Sequence, residues 1–373
     1  MLPPSAGEDV LDEAPANQGR AISKWGKMTR STRLTLIKEL EKARNTRVLC
    51  YVTSTRPGFE VQMAMDTVRL IYDHLVKIGD GAKGDKPPNI DLFIHSNGGD
   101  GTVPWRLVTL IREYTKRFSV LVPHRAFSAA TLTALGANEI VMHPMGMLGP
   151  TDATVTNSFN PLDPTSQQRI GISVEDVTAY FSLIKDDVGI HHEDQLVTAF
   201  NILAEKVHPI ALGNVKRHIS QSRMMARKLL GLHMNHDEHG HRVSNIVENL
   251  TSKSFFHGHP INRNEARDQI GLNTVKNADA LTERLMWELY LEYEKELQMD
   301  TPFDAGAEFL TEFPSLEPEK FATTKKKKIK LMYIESTDMS DYLSMSYELI
   351  GHKLPDQRLA VNVLTSDRAW TKE

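Results

Sequence analysis

Alternating strand-like and helix-like segments over the first half of the chain predict an α/β protein with a mostly parallel sheet buried on both faces. Two observations carry this reading. Apolar runs such as "RVLCYV", "IDLFIH" and "FSVLV" each end at Gly, Pro or Asn turns, and amphipathic helical patterns separate them. The 373 residues are 40% hydrophobic and 25% charged, an ordinary globular balance that suits one large domain with appendages, or two domains.

In chain order, apolar spacing predicts a helix from about Lys24 to Arg44, then a strand over Arg47–Thr55 ended by Arg56-Pro57-Gly58. Val61, Met65, Val68, Ile71 and Leu75 predict the next helix, and the Gly- and Pro-rich "DGAKGDKPPN" is its linker to a second strand, "IDLFIHS". That strand runs into "NGGDG" and a helix, "VPWRLVTLIREYTKR"; "FSVLVP" is the third strand. "SAATLTALGA" supplies a helix and "NEIVMHP" a fourth strand, leading into "MGMLGPTD". Right-handed crossovers are expected between such strands. From about Ser173 to Leu250 the pattern is helical, and "INRNEARDQIGL" reads as a short helix ending at Gly271. "LTERLMWELYLEYEKELQM" is an amphipathic helix, and "KKKKIKLMYIES", "TDMSD" and "YLSMSYELIG" form a β-hairpin. The lysines 325–328 flank its first strand and read as a solvated edge. The resulting division is a disordered acidic tail over 1–23, a main domain over 24–283, and a helix-plus-hairpin extension over 284–373.

Composition removes several function classes. A net charge of -4 offers no basic field for nucleic acid. A single cysteine, Cys50, precludes an intrachain disulfide framework or a cysteine zinc site, and its place in a strand makes it a buried hydrophobe. No apolar stretch reaches the roughly 20 residues of a membrane span. The acidic, Pro- and Ala-rich N-terminus is unlike a signal peptide, so a cytoplasmic location is expected.

Two turns carry chemistry. Gly98 and Gly99 end a strand and open a helix, where glycine N–H groups can turn outward with no side chain in the way. Ser128 follows one strand later at another strand-to-helix junction, before the small residues Ala129, Ala130 and Thr131. Such strand ends share the carboxyl edge of a parallel sheet, where ligand sites form. Ser128 in isolation reads as a helix N-cap. Beside a Gly-Gly turn it reads as a nucleophile facing backbone oxyanion donors, the requirement of acyl-transfer catalysis.

"DLFIHSNGGDG", followed about thirty residues on by "FSAATLTALGANEIVMHPMGMLGPTD", resembles the serine dehydrogenase proteinase family of the Clp-protease/crotonase superfamily, relatives of signal peptide peptidase A. "VHPIALGNVKRHISQSRMMARKLL" and "LTSKSFFHGHPINRNEARDQIGL" share the likeness, which spans about Ile37 to Asn273. It implies a spiral of ββα units, homo-oligomers and hydrolysis of peptide or protein substrates by a serine, without a cofactor. Motif positions place the nucleophile at Ser128 and the oxyanion donors at Gly98, Gly99 and Ala129. Asn97 stands where the family usually has Pro, and Ala130 where it usually has Gly.

A serine needs a base. The Clp-type histidine position falls near Thr151-Asp152, where this chain has no histidine, and the Clp-type aspartate falls near Lys253–Phe256. The resemblance therefore implies His257 as base with Asp152 orienting it, and His259 as an alternative. Lys185 is a further alternative at a Ser/Lys-like separation, although a lysine base must be desolvated and Asp186 and Asp187 oppose that. "HMNHDEHGH" spaces His233, His236, His239 and His241 as zinc or nickel ligands could be, yet its polarity and Gly240 predict a solvated loop and no metal. Two other functions stay open: a crotonase-like acyl-CoA hydrolase or isomerase using the same donors, and a ring-forming scaffold that lacks a base.

Overall fold

The computed structural model describes residues 30–80, 89–151, 154–155, 157–164, 168–253 and 259–373. Its first elements are α1 (Arg30–Arg44), β1 (Arg47–Thr53), α2 (Asp66–Asp80), β2 (Ile90–His95), α3 (Val103–Tyr114), β3 (Phe118–Val122), β4 (Arg125–Ala126), α4 (Ala129–Leu135), β5 (Glu139–Met142) and β6 (Met147–Leu148). A mostly helical middle follows: β7 (Thr154–Val155), β8 (Ile172–Ser173), α5 (Val174–Ser182), α6 (Glu193–Lys206), α7 (Pro209–Leu230) and α8 (His236–Glu248). Then come β9 (Ile261–Asn262), α9 (Arg263–Asp268), β10 (Val275–Asn277), α10 (Ala280–Glu296) and α11 (Ala305–Glu312). The chain ends in β11 (Phe321–Thr323), β12 (Lys327–Glu335), β13 (Ser340–Lys353) and β14 (Leu359–Lys372).

The fold is mixed α/β around one central sheet, ordered β10-β5-β3-β2-β1-β12-β13-β11, with β14 also on β13. The strands from β10 to β1 are parallel, whereas β12, β13, β11 and β14 join antiparallel. Side chains alternate along β1 as a strand's period of two demands. Val48, Cys50 and Val52 pack with Ile37 of α1 and Leu285, Met286 and Leu289 of α10. Leu49 and Tyr51 face the other layer, which includes residues of α2, α3, α4, α7 and α8. Burial on both faces explains why these strands read as continuous apolar runs.

Three expectations change. The helix expected from Val61 begins at Asp66, because Met63 pairs in parallel with Gly99. Met63 N–H donates to Gly98 O (2.8 Å) and Asp100 N–H to Met63 O (2.9 Å), bonds that a helix over these residues would forgo. The histidine-rich stretch expected as a loop is helical from His236 onward, extending into Val243, Ile246 and Val247 in the core. The C-terminal hairpin does not stand alone: β12 pairs antiparallel with β1 through Cys50–Glu335 and three further partners.

Candidate active site

Ser128 occupies the N-cap position of α4 with φ 50° and ψ -113°, a left-side conformation that costs a non-glycine residue about 1–3 kcal/mol. Its hydroxyl makes no capping bond, so the N-cap role read from local sequence is absent. The surroundings impose this conformation. Ser96 N–H donates to Arg125 O and Phe127 N–H to Ser96 O (both 3.0 Å), tying the approach to Ser128 onto the end of β2. Ala130 N–H donates to Phe127 O (2.9 Å), and the Thr131 hydroxyl donates to Ala126 O (2.6 Å) while accepting from Gly149 N–H (3.0 Å). Helix α4 is buried along its whole length, so it cannot shift to relax the turn.

The Gly-Gly turn meets this serine directly. Gly98 has φ +96°, and a Cβ there would lie 2.8 Å from Ser128 Cβ and 2.9 Å from Ala129 N. Only glycine permits both the backbone angle and the approach. Gly98 N–H donates to Ser96 Oγ (3.0 Å), which also accepts from Thr53 Oγ1 (3.0 Å). Among the described residues, Gly99 N–H and Ala129 N–H have no hydrogen-bond partner, and neither does Ser128 Oγ. Backbone donors and a hydroxyl left without partners in this way are groups that a ligand can satisfy.

Ser128 and Gly99 open onto a cleft of about 830 Å³. Leu132 and Thr151 continue the wall on the α4 side, and His218, Gln221 and Ser222 of α7 line it too. Arg368 reaches it from β14. Ala130 is fully buried and is not part of the lining, so its methyl sits in the core rather than across the approach to Ser128.

The residues expected from the sequence are only partly brought together. Gly98 packs against Ser128 and Ala129, and Gly99 lines the same cleft as Ser128. Asp152 and His257 lie outside the described residues. His259 pairs with Glu265 at 2.8 Å, and Lys185 is exposed on a π-helical turn (Leu183–Asp187) continuing α5; neither lines the cleft. His233 bonds Leu135 O at 2.8 Å, and among the described residues no three His, Cys, Asp or Glu groups converge to hold a metal ion. His218 and Arg368 line the cleft without being among the site residues expected from the sequence.

Other histidines lie away from this cleft. His95, ending β2, stacks on His124, whose Nδ1 is 2.8 Å from Tyr290 OH; that hydroxyl donates to Glu294. His143 stacks on Trp287. Burial holds His95 well below the usual imidazole range and pushes His124 down to about 4, with Arg125 adding to both effects. His74 bridges Ser336 Oγ (2.9 Å) and Asp341 Oδ2 (3.1 Å), a Ser-His-Asp pattern. All three residues are at most 1% exposed, so the pattern ties α2 to the β12–β13 turn and cannot meet a substrate.

Known proteins give this geometry a context. Two solved structures of the 1510-N membrane-bound stomatin-specific protease are similar to parts of the chain. A serine-to-alanine mutant shows 20% identity and a TM-score of 0.25, covering 36% of this chain and 59% of its own. A lysine-to-alanine mutant in complex with a substrate peptide shows 12% identity and a TM-score of 0.25, covering 66% and 99%. Two uncharacterized proteins of Methanocaldococcus jannaschii are each 29% identical, over 132 and 133 residues, or 33% and 34% of this chain. Those matches span 42% and 44% of the relatives' own lengths. Residues 24–208, which contain both the Gly-Gly turn and Ser128, match the model of the ClpP-like SDH-type serine proteinases, and over that span the chain belongs to this family.

Proposed function

We propose that the protein is a serine peptidase-like hydrolase that cleaves peptide bonds through Ser128. The observation that carries this reading is a serine with a strained backbone and an unbonded hydroxyl that lines an 830 Å³ cleft together with Gly99, whose N–H is unbonded as is that of Ala129. Gly99 and Ala129 are the oxyanion donors in this reading. Gly98 serves by its missing side chain, since its own N–H is engaged by Ser96. The scissile carbonyl carbon is attacked by Ser128 Oγ, and the displaced electron pair collects on the carbonyl oxygen between the two donors. Membership of a serine proteinase family favours peptide or protein substrates over acyl-CoA esters.

A fluorophosphonate probe tests the reading. Intact mass and peptide mapping are expected to show one label, on Ser128, and Ser128→Ala is expected to abolish both labelling and hydrolysis of fluorescent casein. A folded wild-type protein that neither labels nor cleaves would refute it.

We also place self-association on the apolar side chains left exposed along α6 and the turn that precedes it, among them Leu183, Val188, Val197, Phe200 and Ile202. Exposed clusters of this kind mark interaction surfaces. Light scattering is expected to show an oligomer that Val197→Glu with Phe200→Glu dissociates.

A further inference from the structure

We infer that His218, delivered by α7, is the general base that takes the Ser128 proton. This rests on Ser128 being the nucleophile, and it names a histidine on an element that the Clp-type positions do not reach.

Helix α7 carries a stripe at alternating spacings of four and three: Ala211, Val215, His218, Ser222, Met225 and Leu229. Such spacing keeps one face of a helix turned toward its support. Ala211, Val215, Met225 and Leu229 are at most 6% exposed, so the face is buried at both ends. His218 and Ser222 are the two polar members between them, and both line the cleft that contains Ser128. The stripe therefore leaves the apolar core for one turn, where it borders the cleft that also contains the candidate nucleophile.

Packing fixes that passage. A Cβ on Gly136, at the end of α4, would come within 3.0 Å of Leu229 Cδ2, so α4 and α7 are in close contact there. Further along, Ser222 Oγ donates to Thr151 O at 2.5 Å, holding α7 to the segment that forms the cleft wall. His218 is one turn from this bond on the same face, as residues four apart must be.

The other ionisable groups of the cleft are occupied or unsuited. Glu60 accepts from Gly58 N–H (3.0 Å), and Asp100 accepts from the Thr102 N–H (2.8 Å) and hydroxyl (2.7 Å). Arg368 stays protonated and cannot accept. The His218 ring has no hydrogen-bond or ion-pair partner among the described residues.

In the resulting step Ser128 Oγ forms a bond to the substrate carbonyl carbon while its proton passes to the imidazole. Collapse of the tetrahedral adduct breaks the C–N bond, and the imidazolium returns that proton to the departing amine. Water then attacks the acyl-serine by the same relay, releasing the acid and restoring Ser128.

The test is the rate of fluorophosphonate modification of Ser128 in the full chain, read by intact mass. Loss of a positioned base typically costs 10²–10⁴-fold, so His218→Ala and His218→Gln are expected to slow labelling by roughly 100-fold or more. Added imidazole is expected to restore much of the rate in His218→Ala, which has a cavity to receive it, and not in His218→Gln. Circular dichroism of both variants verifies that α7 is intact. Labelling of both folded variants at the wild-type rate overturns this inference and leaves Ser128 standing as the nucleophile, as does a loss confined to His257→Gln. An unlabelled wild-type protein overturns the peptidase reading itself.

Discussion

Gly98 and Ser128 meet so closely that a Cβ on Gly98 would lie 2.8 Å from the Cβ of the serine and 2.6 Å from Phe127 O. The contact joins the end of β2 to the start of α4, and it exists because residue 98 has φ +96° and no side chain. Gly98→Ala is therefore expected to destabilise the protein by roughly 2–4 kcal/mol, from overpacking plus an unfavourable backbone angle. Labelling of Ser128 should fall even under conditions where the variant remains folded. Gly101→Ala is the control: nothing lies within 4 Å of its added methyl, so its stability should stay within about 0.5 kcal/mol of the parent. Denaturant titration of the two variants reads the difference, and equal stability would contradict the packing described.

The strain at Ser128 is separable from its hydroxyl. Ser128→Ala and Ser128→Gly both remove the nucleophile, but only glycine adopts φ 50°, ψ -113° without steric cost. Part of that relief is offset by the greater freedom of glycine in the unfolded chain. Ser128→Gly is expected to unfold about 1 kcal/mol later than Ser128→Ala, with both variants unlabelled. A more stable alanine variant would mean that the turn stores no strain. The expected order is that of a residue held for its chemistry against its backbone preference.

The legible parts of the site are those written in short stretches of chain. Two adjacent glycines after an apolar strand, and a hydroxyl before a run of small residues, announce a turn and a helix start without knowledge of the rest of the fold. The pairing of Met63 with Gly99 was hidden, because Val61, Met65 and Val68 keep helical spacing while the partner lies more than thirty residues away. The strand β14 was hidden too, since most of its residues are exposed and its polar side chains blur the alternation that marks a strand. His218 shows why catalytic partners are harder to read than nucleophiles. Its only sequence signal is a polar residue in the apolar stripe of α7, and that stripe acquires meaning once α7 is known to pass the cleft.

The C-terminal segment is bound to the main sheet by charge as well as by strand pairing. Arg33 of α1 donates to Glu335 of β12 through Nε (2.8 Å) and a terminal nitrogen (3.3 Å), and to Glu373 (2.9 Å). Tyr293 of α10 also donates to Glu335 (2.7 Å), and Arg33 and Glu335 are 2% and 1% exposed. Glu335→Gln keeps the shape but leaves the buried guanidinium without its principal counter-charge, which typically costs about 3–5 kcal/mol. Replacing both partners, as Arg33→Met with Glu335→Leu, should recover part of the loss, because the desolvation of two charges is then also removed. Urea denaturation of the single and double variants measures this. A Glu335→Gln variant within 1 kcal/mol of the parent would show that the pair carries little.

Acid is expected to destabilise the protein before its carboxylates titrate. Burial lowers the proton affinity of His74, His95, His124, His143 and His233, taking His124 to about 4. Unfolding returns each imidazole to an affinity near 6.5, so below that pH the unfolded chain binds protons that the folded protein refuses. The stability is complete above about pH 6.5 and declines as the pH falls through the window down to about 4 and below. Each fully uncompensated histidine contributes a slope of at most about 1.4 kcal/mol per pH unit. Asp279, held low by the Thr282 hydroxyl and backbone N–H, adds its own loss only at more acid pH, around and below its unfolded range near 3.9. Urea midpoints collected from pH 7 to pH 4.5 should therefore fall steadily, and His124→Gln should flatten the slope by up to one histidine's share. Midpoints that hold level or rise over this interval would mean that these imidazoles accept protons in the folded state.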